Sequence, residues 1–140
     1  KFTQIVGEEI TRNSLLAPLT GVDHLVSYNG RSRPDQIKGF IGFDFPVIFA
    51  QVGVLLDKQF PHTDLVPICW SKGFYGGQKK VEELLGLKRK LLGKEGKWAM
   101  ETWRKYLQSG KRSYLDELLA YNQEDVYMLR ELEIRLGKIR

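Results

Sequence analysis

The spacing of apolar residues is most regular near the end of the chain, where it predicts one long helix over Tyr114–Leu136. At about 100° per residue, four leucines fall close to one line and form the predicted core-facing stripe, namely Leu118, Leu129, Leu132 and Leu136. Two earlier segments with helical spacing, Gln78–Leu85 and Lys97–Leu107, end close to glycines, which often terminate helices. The second half of the chain is therefore predicted to be helical.

The first half mixes strand-like and helical patterns. Short runs rich in β-branched and aromatic residues predict strands at Phe2–Val6 and His24–Tyr28, the second followed by the turn pair Asn29-Gly30. Helices are predicted near Glu8–Leu19, over Asp44–Leu56 and over His62–Trp70. This is an α/β pattern with fewer strands than a stable sheet normally contains.

Length and composition narrow the class of protein. A chain of 140 residues with 42% hydrophobic residues suits a single domain, 1-140, with a real core. Its longest apolar runs are far shorter than the roughly 20 residues of a membrane span, so no membrane partner is expected. The single cysteine, Cys69, excludes an internal disulfide, and no signal-peptide pattern opens the chain, so we expect a cytoplasmic protein.

Positive charge is concentrated in one segment. Lys72–Arg112 carries a net charge of +8, although the whole chain carries only +5. Such a segment, interleaved with aromatic residues, is typical of a surface that binds nucleic acid through phosphates and stacked bases. A solvated, lysine-rich helical face is the alternative that the charge alone leaves open.

Two carboxylates are candidates for chemistry. Asp125 falls in the middle of the leucine stripe, where an ionised group needs a cation or strong hydrogen bonds, and Tyr121 shares its face one turn earlier. The pair forms either a structural hydrogen bond or a metal ligand beside a phenol that orients water. Asp44, just before Pro46, is either a helix N-cap or a second metal ligand.

Several segments together resemble a known family. Leu25–Ser32, followed by Phe43–Ile48, resembles the second motif of DEDD-type 3′–5′ exonucleases, and Tyr121–Asp125 has the Tyr-x-x-x-Asp form of the third motif in their tyrosine-containing branch. Further landmarks of the YprB-like ribonuclease-H-like domain follow in order, at His62–Leu65, Lys80–Leu87 and Trp103–Leu107. The resemblance covers the chain from Leu25 to Leu132.

The resemblance implies both a fold and a site. The fold is a ribonuclease-H-like mixed sheet flanked by helices, and the activity is metal-dependent 3′–5′ hydrolysis of DNA or RNA with two Mg²⁺ or Mn²⁺ ions. By the same resemblance, Asp44 and Asp125 are metal ligands, and Tyr121 orients the attacking water. Asn29 and Arg31 are then expected to contact the nucleic acid.

The chain departs from the family pattern at two places. The opening Asp-x-Glu motif is absent from these residues, so we expect the first two strands and two ligands to precede Lys1, and we expect weak or no activity from this chain alone. Residues 33-42 interrupt the second motif and are interpreted as an insertion. An exposed sheet edge near Lys1–Leu19 also favours self-association.

Two other functions stay open at this point. One is a catalytically inactive nucleic-acid-binding module on the same fold. The other is a protein-interaction domain in which Tyr121 and Asp125 only stabilise a helix.

Overall fold

A computed structural model describes residues 1–31, 33–35, 39–41 and 44–139. It divides the chain into two compact units, Lys1–Gly73 (unit 1) and Phe74–Arg140 (unit 2), and each is described by itself. The single domain over residues 1-140 stays a prediction. Residues 36–38 and 42 of the expected insertion lie outside the described residues, as do Ser32 and Phe43 of the second motif.

Unit 1 contains four short strands in two pairs. They are β1 (Leu25–Ser27), β2 (Arg33–Asp35), β3 (Gly39–Ile41) and β4 (His62–Asp64). Strands β1 and β4 run parallel, with Leu25 opposite His62 and Ser27 opposite Asp64. The carboxyl ends of these two strands therefore meet at one edge. Strands β2 and β3 form an antiparallel pair within residues 33-42, the segment interpreted from the sequence as an insertion.

The helices of unit 1 are shorter than predicted. They are α1 (Arg12–Leu16), α2 (Asp44–Val52), α3 (Leu56–Gln59) and α4 (Leu65–Ser71). A capping box between Thr11 and Ser14 starts α1 later than expected. After α2, Gly53 adopts a φ of 70°, so the predicted helix Asp44–Leu56 is broken in two.

Two local predictions for unit 1 are wrong. Residues 1–6 belong to neither of the two described sheets and are not a strand, because strand formation depends on tertiary context more than on a segment's own sequence. The predicted helix His62–Trp70 begins only at Leu65, since His62–Asp64 pairs with β1. Asp64 is the N-cap of this helix, because its side chain accepts the Val66 N–H.

The core of unit 1 lies beneath α2. Phe45, Val54 and Leu56 are buried together, and partly buried residues of the preceding segments pack against them, including Leu15, Leu19, Leu25 and Ile48. This packing fixes the position of the first turn of α2, and therefore of the residues next to Asp44.

Unit 2 is helical, as the sequence predicts. Its helices are α5 (Gln78–Leu84), α6 (Gly96–Ser109) and α7 (Arg112–Gly137). Gly110 ends α6 in the left-handed conformation with a φ of 66°. The buried residues of α7 are Leu115, Met128, Leu132 and Leu136, so the core-facing stripe is rotated slightly from the predicted one. Among the described residues, no helix has both the length and the apolar character needed to cross a membrane.

The Leu132→Ala substitution is expected to lower the free energy of unfolding by about 2–5 kcal/mol, because it leaves a cavity at a fully buried site. The matched control on the same helix is Ile134→Ala, whose side chain is 42% exposed. Urea unfolding followed by circular dichroism measures both. Equal unfolding midpoints for the two variants would contradict the assigned core.

Candidate active site

The turn after β1 is built around Gly30. Asn29 takes a φ of 61°, which asparagine tolerates better than most residues. A Cβ on Gly30 would lie 2.5 Å from the Ser27 hydroxyl oxygen and 3.3 Å from Oδ2 of Asp44. Only glycine fits without displacement, so this turn approaches the Asp44 carboxylate closely.

Asp44 begins α2 next to that turn. The Phe45 N–H donates a 2.9 Å hydrogen bond to the Gly30 carbonyl, which joins the turn to the start of the helix. Asp44 is exposed as a whole residue, yet its pKa is raised, first by desolvation of the carboxyl group and second by the negative charge of Asp64. A bound cation would favour the ionised form, which is what a metal ligand at Asp44 requires.

The two predicted substrate-binding residues lie in the same turn. The Asn29 N–H donates to Oδ1 of Asp64 at 2.9 Å, and the Arg31 N–H donates to Oδ2 at 3.3 Å. The Arg31 side chain is 48% exposed and forms a 3.8 Å ion pair with Asp57. The structure thus brings Asn29 and Arg31 to the turn that contacts the start of α2.

His62 packs beneath this turn. Its Nε2 lies 2.8 Å from the Ser27 Oγ, and its Nδ1 is buried with no hydrogen-bond partner among the described residues. Burial is the largest of several influences on the His62 pKa, and the net effect is to lower it, so the neutral ring is favoured. A partly buried imidazole that favours its neutral form and is bonded to Ser27 fits a structural role.

Tyr121 and Asp125 lie one turn apart on α7, and Lys79 of α5 contacts both. The Lys79 ammonium donates a 2.6 Å hydrogen bond to the Tyr121 hydroxyl and lies 4.5 Å from the centre of its ring. It also lies 3.6 Å from Oδ1 of Asp125. A lysine therefore supplies part of the positive charge beside Asp125.

Arg89 supplies the rest of the positive charge. Its Nε and Nη2 donate to the two oxygens of Glu82 at 2.6 and 2.8 Å, and its Nη1 forms an ion pair with Asp125. Burial alone would lower the Arg89 pKa, but the bonds and charges of Glu82 and Asp125 outweigh it and raise the pKa. Glu82, only 2% exposed in its side chain, is fully paired by this arginine and by Gln78.

The predicted metal ligands belong to different units. Asp44 lies in unit 1 and Asp125 in unit 2, so their sharing of metal ions stays a prediction. Within the described ranges, no group of three or more His, Cys, Asp or Glu side chains could hold a metal ion. The donor set fits a divalent ion in part: each aspartate supplies a hard oxygen ligand, and further ligands must come from elsewhere.

Sequence reasoning missed three residues of these clusters. Asp64 appeared only within the family landmark His62–Leu65, because that segment was predicted as a helix and not as the strand that Asp64 ends. Lys79 and Arg89 looked like ordinary members of the basic segment. No local pattern identifies them, because their partners on α7 lie 36 to 46 residues away along the chain.

The Arg89→Met substitution is expected to destabilise the protein by about 3–5 kcal/mol, because it leaves Glu82 buried without its cation. The matched control is Arg112→Met, which breaks the exposed pair with Asp116 and should cost less than about 1 kcal/mol. Chemical denaturation compares the two variants. A loss for Arg89→Met no larger than for the control would show that the buried pair contributes little.

Comparison with known proteins agrees with the resemblance seen in the sequence. The model of the RNase_H_2 family, described as RNase_H superfamily, matches residues 2–136. Searches of curated proteins and of solved structures found no match. The family match spans nearly the whole chain and confirms a ribonuclease-H-like α/β domain. The chain belongs to the RNase H superfamily.

Proposed function

We propose that the chain is part of a metal-dependent 3′–5′ exonuclease acting on DNA or RNA. Membership of the RNase H superfamily indicates a nuclease and a nucleic-acid substrate. The observation that carries the finer proposal is Asp44, whose carboxylate stands beside the turn at the carboxyl edge of β1 and β4 with a raised pKa. An oxygen ligand whose ionised form is unfavourable without a counter-charge suits a cation site.

The proposal assigns a task to each predicted residue. Asp44 and Asp125 hold Mg²⁺ or Mn²⁺, and Asp125 binds through Oδ2, because Lys79 and Arg89 both contact Oδ1. Two such ions, when bound, supply an activated water and stabilise the leaving oxygen. Asn29 and Arg31 contact the nucleic acid from the turn.

Tyr121 is proposed to orient the attacking water by hydrogen bonding. Its oxygen accepts a hydrogen bond from Lys79, which leaves the phenol proton available to a water or a phosphate oxygen. The ammonium also places positive charge where a phosphate would approach. A cytoplasmic location and self-association near Lys1–Leu19 stay predictions.

Asp44→Asn and Asp125→Asn, made in the full-length natural protein, are each expected to reduce Mn²⁺-dependent cleavage of a 3′-labelled oligonucleotide by at least about 100-fold. This loss exceeds that typical of residues that only orient metal ligands, because each variant changes a proposed ligand itself. Asp44→Asn should not lower the melting temperature at pH 7, because it removes a carboxylate whose ionisation opposes folding.

The matched controls are Asp23→Asn in unit 1 and Asp116→Asn on α7, both exposed and outside the proposed site. They should cleave at the unsubstituted rate. Cleavage retained by the Asp44→Asn, Asp125→Asn double variant would refute the assignment.

An inactive nucleic-acid-binding module is the second candidate. It is favoured by the pairing of Asp125 with Lys79 and Arg89 and by the net charge of +8 over Lys72–Arg112. For such a module, the logarithm of the affinity for single strands should fall with the logarithm of salt concentration by about 0.7 per phosphate contact, with or without Mg²⁺. Fluorescence anisotropy at several salt concentrations measures this slope, and a flat response would favour a protein-interaction domain instead.

A further inference from the structure

Asp64 is a buried acid to which the proposed function gives no task. It ends β4, and the residue is only 8% exposed. Its carboxylate accepts backbone N–H groups from Asn29 at 2.9 Å, from Arg31 at 3.3 Å and from Val66 at 3.0 Å. The Val66 bond caps α4, whereas the other two reach across to the turn that follows β1.

Those two bonds hold the turn that the Asn29-Gly30 pair forms in one shape. Asn29 adopts a positive φ, and Gly30 is packed against the Ser27 side chain, whose hydroxyl accepts the Gly30 N–H at 3.2 Å. A buried carboxylate costs free energy unless it is hydrogen-bonded, so the turn and Asp64 satisfy each other. Moving the turn would leave the carboxylate of Asp64 short of donors.

The Asn29–Arg31 turn also holds the start of α2. The Gly30 carbonyl accepts the Phe45 N–H at 2.9 Å, and a Cβ on Gly30 would lie 3.3 Å from Oδ2 of Asp44. Hydrogen bonds on both sides of the turn therefore connect Asp64, through the backbone of the turn, to the residue next to Asp44.

We propose that Asp64 is a positioning residue that holds the Asn29–Arg31 turn, and through it Asp44, in the geometry needed to bind a divalent ion. This inference rests on the proposed function for the role of Asp44. Asp64 acts through backbone N–H groups, which occupy both of its oxygens, and it is not assigned as a ligand itself.

The test uses Asp64→Ser in the 140-residue chain. Serine keeps the N-cap bond to Val66 but is too short to reach the turn, so α4 is retained while the turn loses its acceptor. Amide exchange measured by NMR should accelerate at Asn29, Arg31 and Phe45 by at least about 10-fold. In the same samples, the Mn²⁺ concentration that broadens amide signals around Asp44 should rise by about 10–100-fold.

Asp57→Ser is the matched control. It removes another acid of unit 1, one that contacts the Arg31 side chain but not the turn backbone. Exchange and Mn²⁺ broadening should stay within about twofold of the unsubstituted chain. Asp64→Asn, which keeps one acceptor oxygen and nearly the same size, should show a smaller change at the turn and takes the place of Asp64→Ser if that variant fails to fold.

The outcomes separate this inference from the proposed function. Unchanged exchange in the Asp64 variants would overturn the inference. So would faster exchange with unchanged Mn²⁺ broadening, provided that Asp44→Asn abolishes the broadening. If Asp44→Asn leaves the broadening unaltered, the metal role of Asp44 fails and the positioning role fails with it, whereas faster exchange would still show that Asp64 holds the turn.

Discussion

A carboxylate removed from water must be hydrogen-bonded by N–H groups or paired with cations, and this requirement organises both units of the protein. In unit 1, Asp64 accepts hydrogen bonds from backbone N–H groups of the turn and of α4. In unit 2, Glu82 accepts hydrogen bonds from Nε and Nη2 of Arg89. Asp64 joins segments that lie far apart in sequence, and Arg89 connects Glu82 to the distant Asp125 on α7, so the geometry around the candidate site depends on both buried acids.

The two candidate metal ligands stand in contrasting electrostatic surroundings. Desolvation of the Asp44 carboxyl group, and second the negative charge of its neighbour Asp64, raise the pKa of Asp44 and make its ionised form unfavourable. Asp125 is already paired with two cations. A divalent ion would therefore relieve repulsion at Asp44 but would share Asp125 with Lys79 and Arg89, so we expect Asp44 to contribute more to metal affinity.

Lys79 connects the two interpretations of the basic segment. Its contacts with Tyr121 and Asp125 neutralise charge within unit 2, and the same ammonium is a suitable partner for a phosphate. A third of its side chain stays exposed. One lysine can therefore both stabilise the packing of α7 on α5 and take part in binding nucleic acid. The two interpretations of Lys72–Arg112, a solvated lysine-rich face and a nucleic-acid-binding surface, can therefore describe the same surface.

The sequence by itself determined the helices of unit 2, the strand β1 with its turn, and the family. Periodicity and glycine stops are local signals, and the order of motifs from Leu25 to Leu132 agrees with the family match over residues 2–136. It also indicated that Asp125 needs a cation or strong hydrogen bonds, because the stripe of leucines shows which face of the helix is turned to the core. Only the folded chain shows which groups satisfy Asp125, because Lys79 and Arg89 reach it only after the chain folds back. In the same way, only the tertiary structure decided that His62–Asp64 forms strand β4 and that Asp64 hydrogen-bonds the turn. Both depend on strand pairing and buried hydrogen bonds between residues more than 30 positions apart.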